Sequence, residues 1–106
     1  MQLTKKRAIF LTEGSRSLGF GHLTRCLALS QAFLERGHVS MFIVHGDASI
    51  ISTLQDVEYK QIQWLNGIES IKYHLQNAIL VVDTFSISDE LLYELSNISK
   101  VTILDD

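Results

Sequence analysis

The sequence Ala8-Ile9-Phe10-Leu11-Thr12-Glu13-Gly14-Ser15-Arg16-Ser17-Leu18-Gly19-Phe20-Gly21-His22 passes from an apolar run into a loop that contains three glycines and ends on a histidine. The apolar run predicts a buried strand, and residues 23–36 have the spacing of an amphipathic helix. The loop is therefore predicted to be a strand-to-helix turn. In an open α/β sheet such turns lie at the carboxyl edge of the strands, where ligands meet the free amides of the helix.

The rest of the chain alternates strand and helix patterns. Strands are predicted near 7–12, 39–44, 58–62, 78–82 and 100–104, and helices near 22–36, 48–54, 68–76 and 88–97. The runs 41–44 and 79–82 are continuously apolar, which is typical of parallel strands covered by helices on both faces. Lys60 and Gln61 interrupt the third strand, which we expect at an edge. Right-handed crossovers then favour the Rossmann-like order 3-2-1-4-5.

Two predicted helices carry boundary signals. The first should end at Arg36-Gly37, where glycine is free to adopt a left-handed cap. Its apolar stripe consists of Leu23, Leu27, Ser30 and Leu34, flanked by Cys26, Leu29 and Phe33. The fourth helix has Ser88 as its cap, Asp89 and Glu90 in its first turn, and Leu91, Leu92 and Leu95 as its stripe.

Composition predicts one globular domain over residues 1–106, because 46 % of the residues are hydrophobic and 20 % are charged. Nine basic and twelve acidic residues give a net charge of −3, and the basic residues are scattered apart from 5–7, so no nucleic-acid partner is expected. No apolar run approaches the roughly 20 residues of a membrane span, and no signal peptide precedes the first strand. We expect a cytoplasmic protein with no membrane contact.

Several single residues are given structural rather than chemical roles. Cys26 is predicted to be a small core residue, and Trp64 is predicted to pack under the sheet edge. The histidines and carboxylates show no recognised metal-ligand spacing, so no metal and no cofactor is predicted.

Polar residues follow the strands at the carboxyl edge, in loops 13–22, 45–47, 83–86 and 105–106. The loops after the first and fourth strands should be neighbours at the point where the strand order reverses. The side chains expected to share one crevice there are Ser15, Arg16, His22, Asp83 and Thr84.

The residues alone leave the roles in this crevice open. His22 can serve as a proton acceptor or as a helix-start residue with local hydrogen bonds. Arg25 can hold a phosphate or lie on the surface, and Asp83 can orient an imidazole, accept sugar hydroxyls or start a turn.

The glycines of the loop are equally ambiguous. Gly14, Gly19 and Gly21 can cradle a phosphate or sugar, or can merely turn the chain. Their spacing matches neither the dinucleotide-binding fingerprint nor a Walker loop.

The motif Gly19-Phe20-Gly21-His22-x-x-Arg25, with Gly14-Ser15 before it, resembles the opening of the nucleotide-sugar hydrolases of pseudaminic acid biosynthesis, a family also described as spore-coat polysaccharide biosynthesis proteins. A second segment, Leu80-Val81-Val82-Asp83-Thr84-Phe85, is similar to the family's Asp-x-Tyr segment. The ending Val101-x-Ile103-Leu104-Asp105-Asp106 is similar to its Asp-Asp strand end.

The resemblance implies the N-terminal half of a glycosyltransferase-B-like fold, with the C-terminal domain as a missing partner. It implies an inverting hydrolase that releases UDP from a UDP-linked 2,4-diacetamido-2,4,6-trideoxy-altropyranose in bacterial surface polysaccharide biosynthesis. His22 would be the general base, and the chain alone would be inactive. The substrate-binding residues would be Glu13, Gly14, Ser15, Gly19, Gly21, Arg25, Asp83, Thr84 and Asp106.

The chain departs from the family pattern at three positions. Leu11 and Glu13 stand where the family usually has arginine and aspartate, and Phe85 replaces the tyrosine. Two alternatives therefore stay open. One is a glycosyltransferase domain of the same fold, and the other is a non-catalytic module that binds a nucleotide or a partner protein.

Overall fold

The computed structural model describes residues 7–16 and 19–104, so Asp105 and Asp106 lie outside the described residues. It contains a five-stranded, wholly parallel sheet of order β3-β2-β1-β4-β5, which confirms the predicted fold class and strand order. The strands are β1 (Arg7–Gly14), β2 (Val39–Gly46), β3 (Tyr59–Gln61), β4 (Ala78–Asp83) and β5 (Lys100–Ile103). The α-helices are α1 (Gly21–Glu35), α2 (Ile51–Leu54) and α3 (Asp89–Ile98). No helix within the described ranges is long and apolar enough to cross a membrane.

The central strand β1 supplies side chains to two separate cores. Ala8 and Phe10 pack against α1 and α2, whereas Ile9 and Leu11 pack on the opposite face with α3 and the segment that follows β3. This alternation is the two-residue period of a strand, and it gives the three-layer arrangement of an open parallel sheet. Successive residues of β1 therefore face different helices up to the strand's carboxyl end.

Trp64 is fully buried in the α3-side core. Its indole Nε1 donates a hydrogen bond of 2.8 Å to the carbonyl of Thr12 near the end of β1. The predicted packing role of Trp64 is confirmed. Because a buried indole N–H needs an acceptor, this bond also fixes the segment after β3 beneath the sheet edge.

Both predicted helix boundaries are confirmed by hydrogen bonds. After α1, Gly37 has a φ of 82° and donates to the carbonyl of Leu34 at 2.9 Å, while His38 donates to Phe33 at 3.0 Å, which is a Schellman motif. At the start of α3, the hydroxyl of Ser88 accepts the amide of Leu91 at 3.1 Å.

Two expectations about the helices are wrong. Residues 68–76, expected to be helical, form two short 3₁₀ turns, Ile68–Ser70 and Lys72–His74. The buried apolar residues of this segment are three and four positions apart, and successive 3₁₀ turns allow this spacing as well as an α-helix does. Leu34 is 60 % exposed, because Phe33 takes the inward position and packs on Phe10 with ring centroids 5.8 Å apart.

Candidate functional site

The carboxyl ends of β1 and β4 bring two acidic side chains to one edge but to opposite faces. Asp83 pairs in register with Thr12, so both lie on the α1 face of the sheet and both are fully buried. Glu13, the next residue of β1, lies on the α3 face. The topology thus separates Asp83 and Glu13, which the resemblance placed together among the substrate-binding residues.

His22 lies in the first turn of α1, directly over Asp83. Its Nδ1 is 2.5 Å from Oδ1 of Asp83, and the imidazole side chain is 11 % exposed. An ionised carboxylate only accepts hydrogen bonds, so Nδ1 carries the proton and Nε2 is the nitrogen with the free lone pair in the neutral ring. Nε2 is buried and has no hydrogen-bond partner among the described residues. The imidazole is therefore oriented by Asp83 and keeps one nitrogen available for a ligand.

Arg25 also binds Asp83, from one turn further along α1. Its Nε donates to Oδ2 at 2.8 Å and its Nη2 donates to Oδ1 at 2.7 Å, which is the bidentate geometry of an arginine–carboxylate pair. Residues three apart share a helix face, so His22 and Arg25 meet the same carboxylate. With both oxygens engaged inside the protein, Asp83 acts here as an orienting group.

The surroundings of Asp83 keep it ionised. Burial alone raises the pKa of this carboxyl, but hydrogen bonds from Arg25 and from His22 outweigh burial and hold the pKa below its usual range. A carboxylate that stays charged at neutral pH favours the Nδ1–H tautomer of His22.

Cys26 lies beside this cluster, with Sγ 3.8 Å from Oδ2 of Asp83. Burial and, secondly, the negative charge of Asp83 raise the pKa of the thiol to about 12. The thiol is fully buried in the α1-side core, which confirms its prediction as a small core residue. A thiolate is the nucleophilic form, so this cysteine is inert at neutral pH.

Glu13 accepts hydrogen bonds from the loop of residues 84–86. Its Oε2 accepts the hydroxyl of Thr84, the amide of Phe85 at 2.7 Å and the amide of Ser86 at 3.3 Å. The hydroxyl of Ser86 lies 3.3 Å from Oε1. Glu13 is only 2 % exposed, so its carboxylate is occupied by the loop. Thr84, another expected substrate ligand, is one of its donors.

Phe85 is the residue of this site that sequence reasoning missed, since the sequence marked it only as a lost hydroxyl. Its side chain is 70 % exposed, yet its ring centroid lies 4.1 Å from that of His22 at an interplanar angle of 71°. The sequence signal that could have identified Phe85 is its position two residues after Asp83, in the loop at the carboxyl end of β4.

The glycine loop after β1 closes on itself. The amide of Gly19 donates to the carbonyl of Ser15 at 2.7 Å, and Gly19 has a φ of 89° that favours glycine. A Cβ on Gly14 would lie 2.7 Å from Cδ1 of Leu23, so glycine there allows α1 to approach the strand. Gly21 is exposed, and a Cβ on it would meet no atom of the described residues within 4 Å. Among the described residues no side chain caps the first amides of α1.

Arg16 contacts the loop after β2. Its amide donates to the hydroxyl of Ser49 at 3.1 Å, and Ser49 in turn donates a hydrogen bond to Asp47.

His45 turns away from the crevice, because its Nδ1 accepts the amide of Leu65 at 3.2 Å. In residues 7–16 and 19–104, no group of three or more His, Cys, Asp or Glu side chains could hold a metal ion.

The structure thus brings together His22, Arg25 and Asp83 on the α1 face, and Glu13 and Thr84 on the other face of the same edge. Asp106 lies outside the described residues. The fold and this cluster define a parallel α/β domain with a carboxylate-oriented histidine at the carboxyl edge of its sheet. No family model, curated protein or solved structure matches the chain.

Proposed function

We propose that this chain is the N-terminal domain of an inverting UDP-sugar hydrolase, in which His22 is the general base. The observation that carries the proposal is the 2.5 Å contact between Nδ1 of His22 and Asp83, which leaves Nε2 as the proton acceptor. The class of substrate, a UDP-linked diacetamido-trideoxy hexose, comes from the resemblance of the glycine loop and the Asp83 segment to the pseudaminic acid hydrolases. Such an enzyme works in the cytoplasm on a sugar nucleotide.

In the proposed reaction a water molecule attacks the anomeric carbon while the bond from that carbon to the phosphate oxygen of UDP breaks. The water proton passes to Nε2 of His22, and the bonding electrons leave with UDP. Asp83 then faces an imidazolium through Nδ1–H, and this charge pairing lowers the energy of the state in which proton transfer is under way. Arg25 keeps the carboxylate of Asp83 in place by its two hydrogen bonds.

Two further features support a ligand at this edge. Within the described part of the chain, no atom lies near a Cβ built on Gly21 and no side chain caps the start of α1, where backbone amides and the helix dipole favour an anionic group. Ser15 and Gly19 form a narrow turn beside it. The second domain implied by the resemblance would supply the remaining contacts to UDP across a cleft, so the activity belongs to the two-domain protein.

The departures from the family pattern favour testing a second candidate, a module that binds a nucleotide or partner without catalysis. Leu11, which replaces the family arginine, is fully buried in the α3-side core. No cationic side chain is therefore available at that position for phosphate or sugar.

The test is UDP release from the UDP-linked diacetamido-trideoxy hexose by the longest natural form of the protein, compared with His22→Asn and the control His74→Asn. A general base contributes about 10²- to 10⁴-fold, so His22→Asn should lose that much turnover and keep substrate binding, while the control keeps both. Equal turnover in His22→Asn would refute the base. Binding without release in the unmodified protein would favour the module, and transfer to an added sugar acceptor would favour a glycosyltransferase.

A further inference from the structure

We propose that Phe85 determines access to this site: its ring closes over the free nitrogen of His22 and must turn aside before a ligand reaches the imidazole. The proposal concerns the crevice itself and depends on the proposed function only in treating ligands of that crevice as substrates.

The first observation is that Phe85 is largely exposed and yet is in close contact with the ring of His22. A side chain that is 70 % exposed has few packing partners, but the ring of Phe85 lies edge-on to the imidazole with centroids 4.1 Å apart. In the same imidazole, Nε2 is buried without a hydrogen-bond partner among the described residues. A buried nitrogen that lacks a partner costs free energy, so Nε2 is a position where a hydrogen-bond donor from outside the chain, a water or a ligand, would be stabilised.

The second observation concerns which part of Phe85 can move. Glu13 accepts the amides of Phe85 and Ser86 and the hydroxyl of Thr84, so the backbone of the 84–86 loop is fixed from the α3 face. The ring, by contrast, is free on its solvent side. Opening therefore needs only rotation about the Phe85 side-chain bonds, which exposed residues complete in picoseconds to nanoseconds, and no hinge in the loop.

Together these contacts describe a ring that covers the imidazole while its own backbone stays anchored. A ligand that displaces the ring packs against it, so the C–H face of a pyranose is a suitable partner for that apolar surface. Phe85 would then select for ligands with an apolar face next to the reacting carbon.

Acylation of histidine by diethyl pyrocarbonate measures this access without any turnover. The reagent modifies the neutral imidazole, and peptide mass mapping follows each of His22, His38, His45 and His74 separately at about pH 8. The protein variants are Phe85→Ala, Phe85→Tyr as the ring-preserving control, and Tyr93→Ala as a control for loss of an exposed aromatic residue on α3, where Tyr93 is 68 % exposed.

If the ring covers Nε2, the open state is a minor one and His22 reacts about tenfold or more slowly than free N-acetylhistidine. Phe85→Ala should then raise the rate at His22 by roughly that factor, while Phe85→Tyr and Tyr93→Ala leave it unchanged. The other three histidines report on folding and should keep their rates in every variant. An unmodified protein in which His22 reacts as fast as N-acetylhistidine would overturn the proposal, as would equal rates at His22 in Phe85→Ala and the unmodified chain. Neither result decides whether His22 is a general base, which the turnover of His22→Asn tests separately.

Discussion

Arg25 donates to both carboxylate oxygens of Asp83, at 2.8 Å from Nε and 2.7 Å from Nη2. Because Arg25 is on α1 and Asp83 ends β4, this pair joins a helix to a strand that are far apart in sequence. The carboxylate is fully buried while 37 % of the arginine side chain remains exposed. The pair therefore holds the first two turns of α1, with His22, over the sheet edge.

Replacing the carboxylate should destabilise the fold. Asp83→Asn removes the charge that Arg25 and His22 share, and hydrogen bonds to charged groups contribute about 1.5–3 kcal/mol each. The partial exposure of Arg25 reduces the loss, so we expect about 1–3 kcal/mol in the free energy of unfolding, measured by urea titration. The matched control is Asp56→Asn, an exposed carboxylate that should change stability by less than about 0.5 kcal/mol. Equal stability of the two variants would mean that the pair does not contribute.

The same carboxylate predicts a dependence of stability on pH. The pKa of Asp83 is lowered on folding, by hydrogen bonds from Arg25 and His22 that outweigh burial. Its contribution is therefore complete above the unfolded value of about 3.9 and is lost as the pH falls through the lower folded value. Asp47, whose pKa is lowered by its bonds to Ser49, adds a term of the same sign.

The measurement is the free energy of unfolding of the unmodified chain and of Asp83→Asn between about pH 5 and pH 3. The difference between them should shrink as the pH falls, because protonation removes the same charge that the substitution removes. The contribution of Asp47 is common to both chains and cancels. A difference that stays constant over this range would contradict the assignment.

Two glycines of the loop should respond oppositely to alanine. In Gly14→Ala the new Cβ lies 2.7 Å from the buried side chain of Leu23, so Leu23 must shift, and overpacking of this kind costs about 1–3 kcal/mol. In Gly21→Ala the Cβ enters open space on the first turn of α1, and alanine stabilises a helix by up to about 1 kcal/mol. Thermal or urea unfolding of both variants checks this, and a loss at Gly21 as large as that at Gly14 would contradict the described packing.

Glu13→Gln should weaken the hydrogen bonds of the 84–86 loop without changing the conformation of its backbone. Glutamine keeps one acceptor oxygen but lacks the charge, so the hydrogen bonds to Phe85 and Ser86 weaken. Amide hydrogen exchange at these two residues should accelerate about tenfold, which corresponds to the loss of a charge-assisted bond. Glu58→Gln, at an exposed position before β3, is the control and should leave both amides unchanged.

Most of the fold follows from the sequence. The continuous apolar runs of β2 and β4 indicate buried parallel strands, and right-handed crossovers, with the polar third strand at an edge, favour the strand order that is observed. The segment 68–76 could not be assigned in this way, because burial at spacings of three and four fits both an α-helix and successive 3₁₀ turns. The exposure of Leu34 depends on which of two adjacent residues Phe10 contacts, and periodicity does not determine that choice.

The candidate site was only partly predictable. Topology brings the loops after β1 and β4 together, and His22 and Asp83 do meet. The pairing of Arg25 with Asp83 depends on the rotation of α1 about its axis, which a sequence pattern gives only to within a side-chain position. The resemblance implies that Glu13 is a substrate-binding residue together with Asp83, whereas strand alternation sends it to the other face of the sheet.

Asp83 and Glu13 share no hydrogen-bond partner in the described structure. Asp83 lies beside Thr12 on one face of the sheet, and Glu13, the next residue of β1, lies on the other. The orientation of the imidazole and the position of the Phe85 loop are therefore set by separate polar networks on either side of one layer of backbone. A change of Glu13 acts first on the loop and reaches His22 only through the ring of Phe85, which is in edge contact with the imidazole. The carboxylate that orients His22 and the carboxylate that anchors the loop are thus two separate points at which this edge of the sheet can be altered, by evolution or by design.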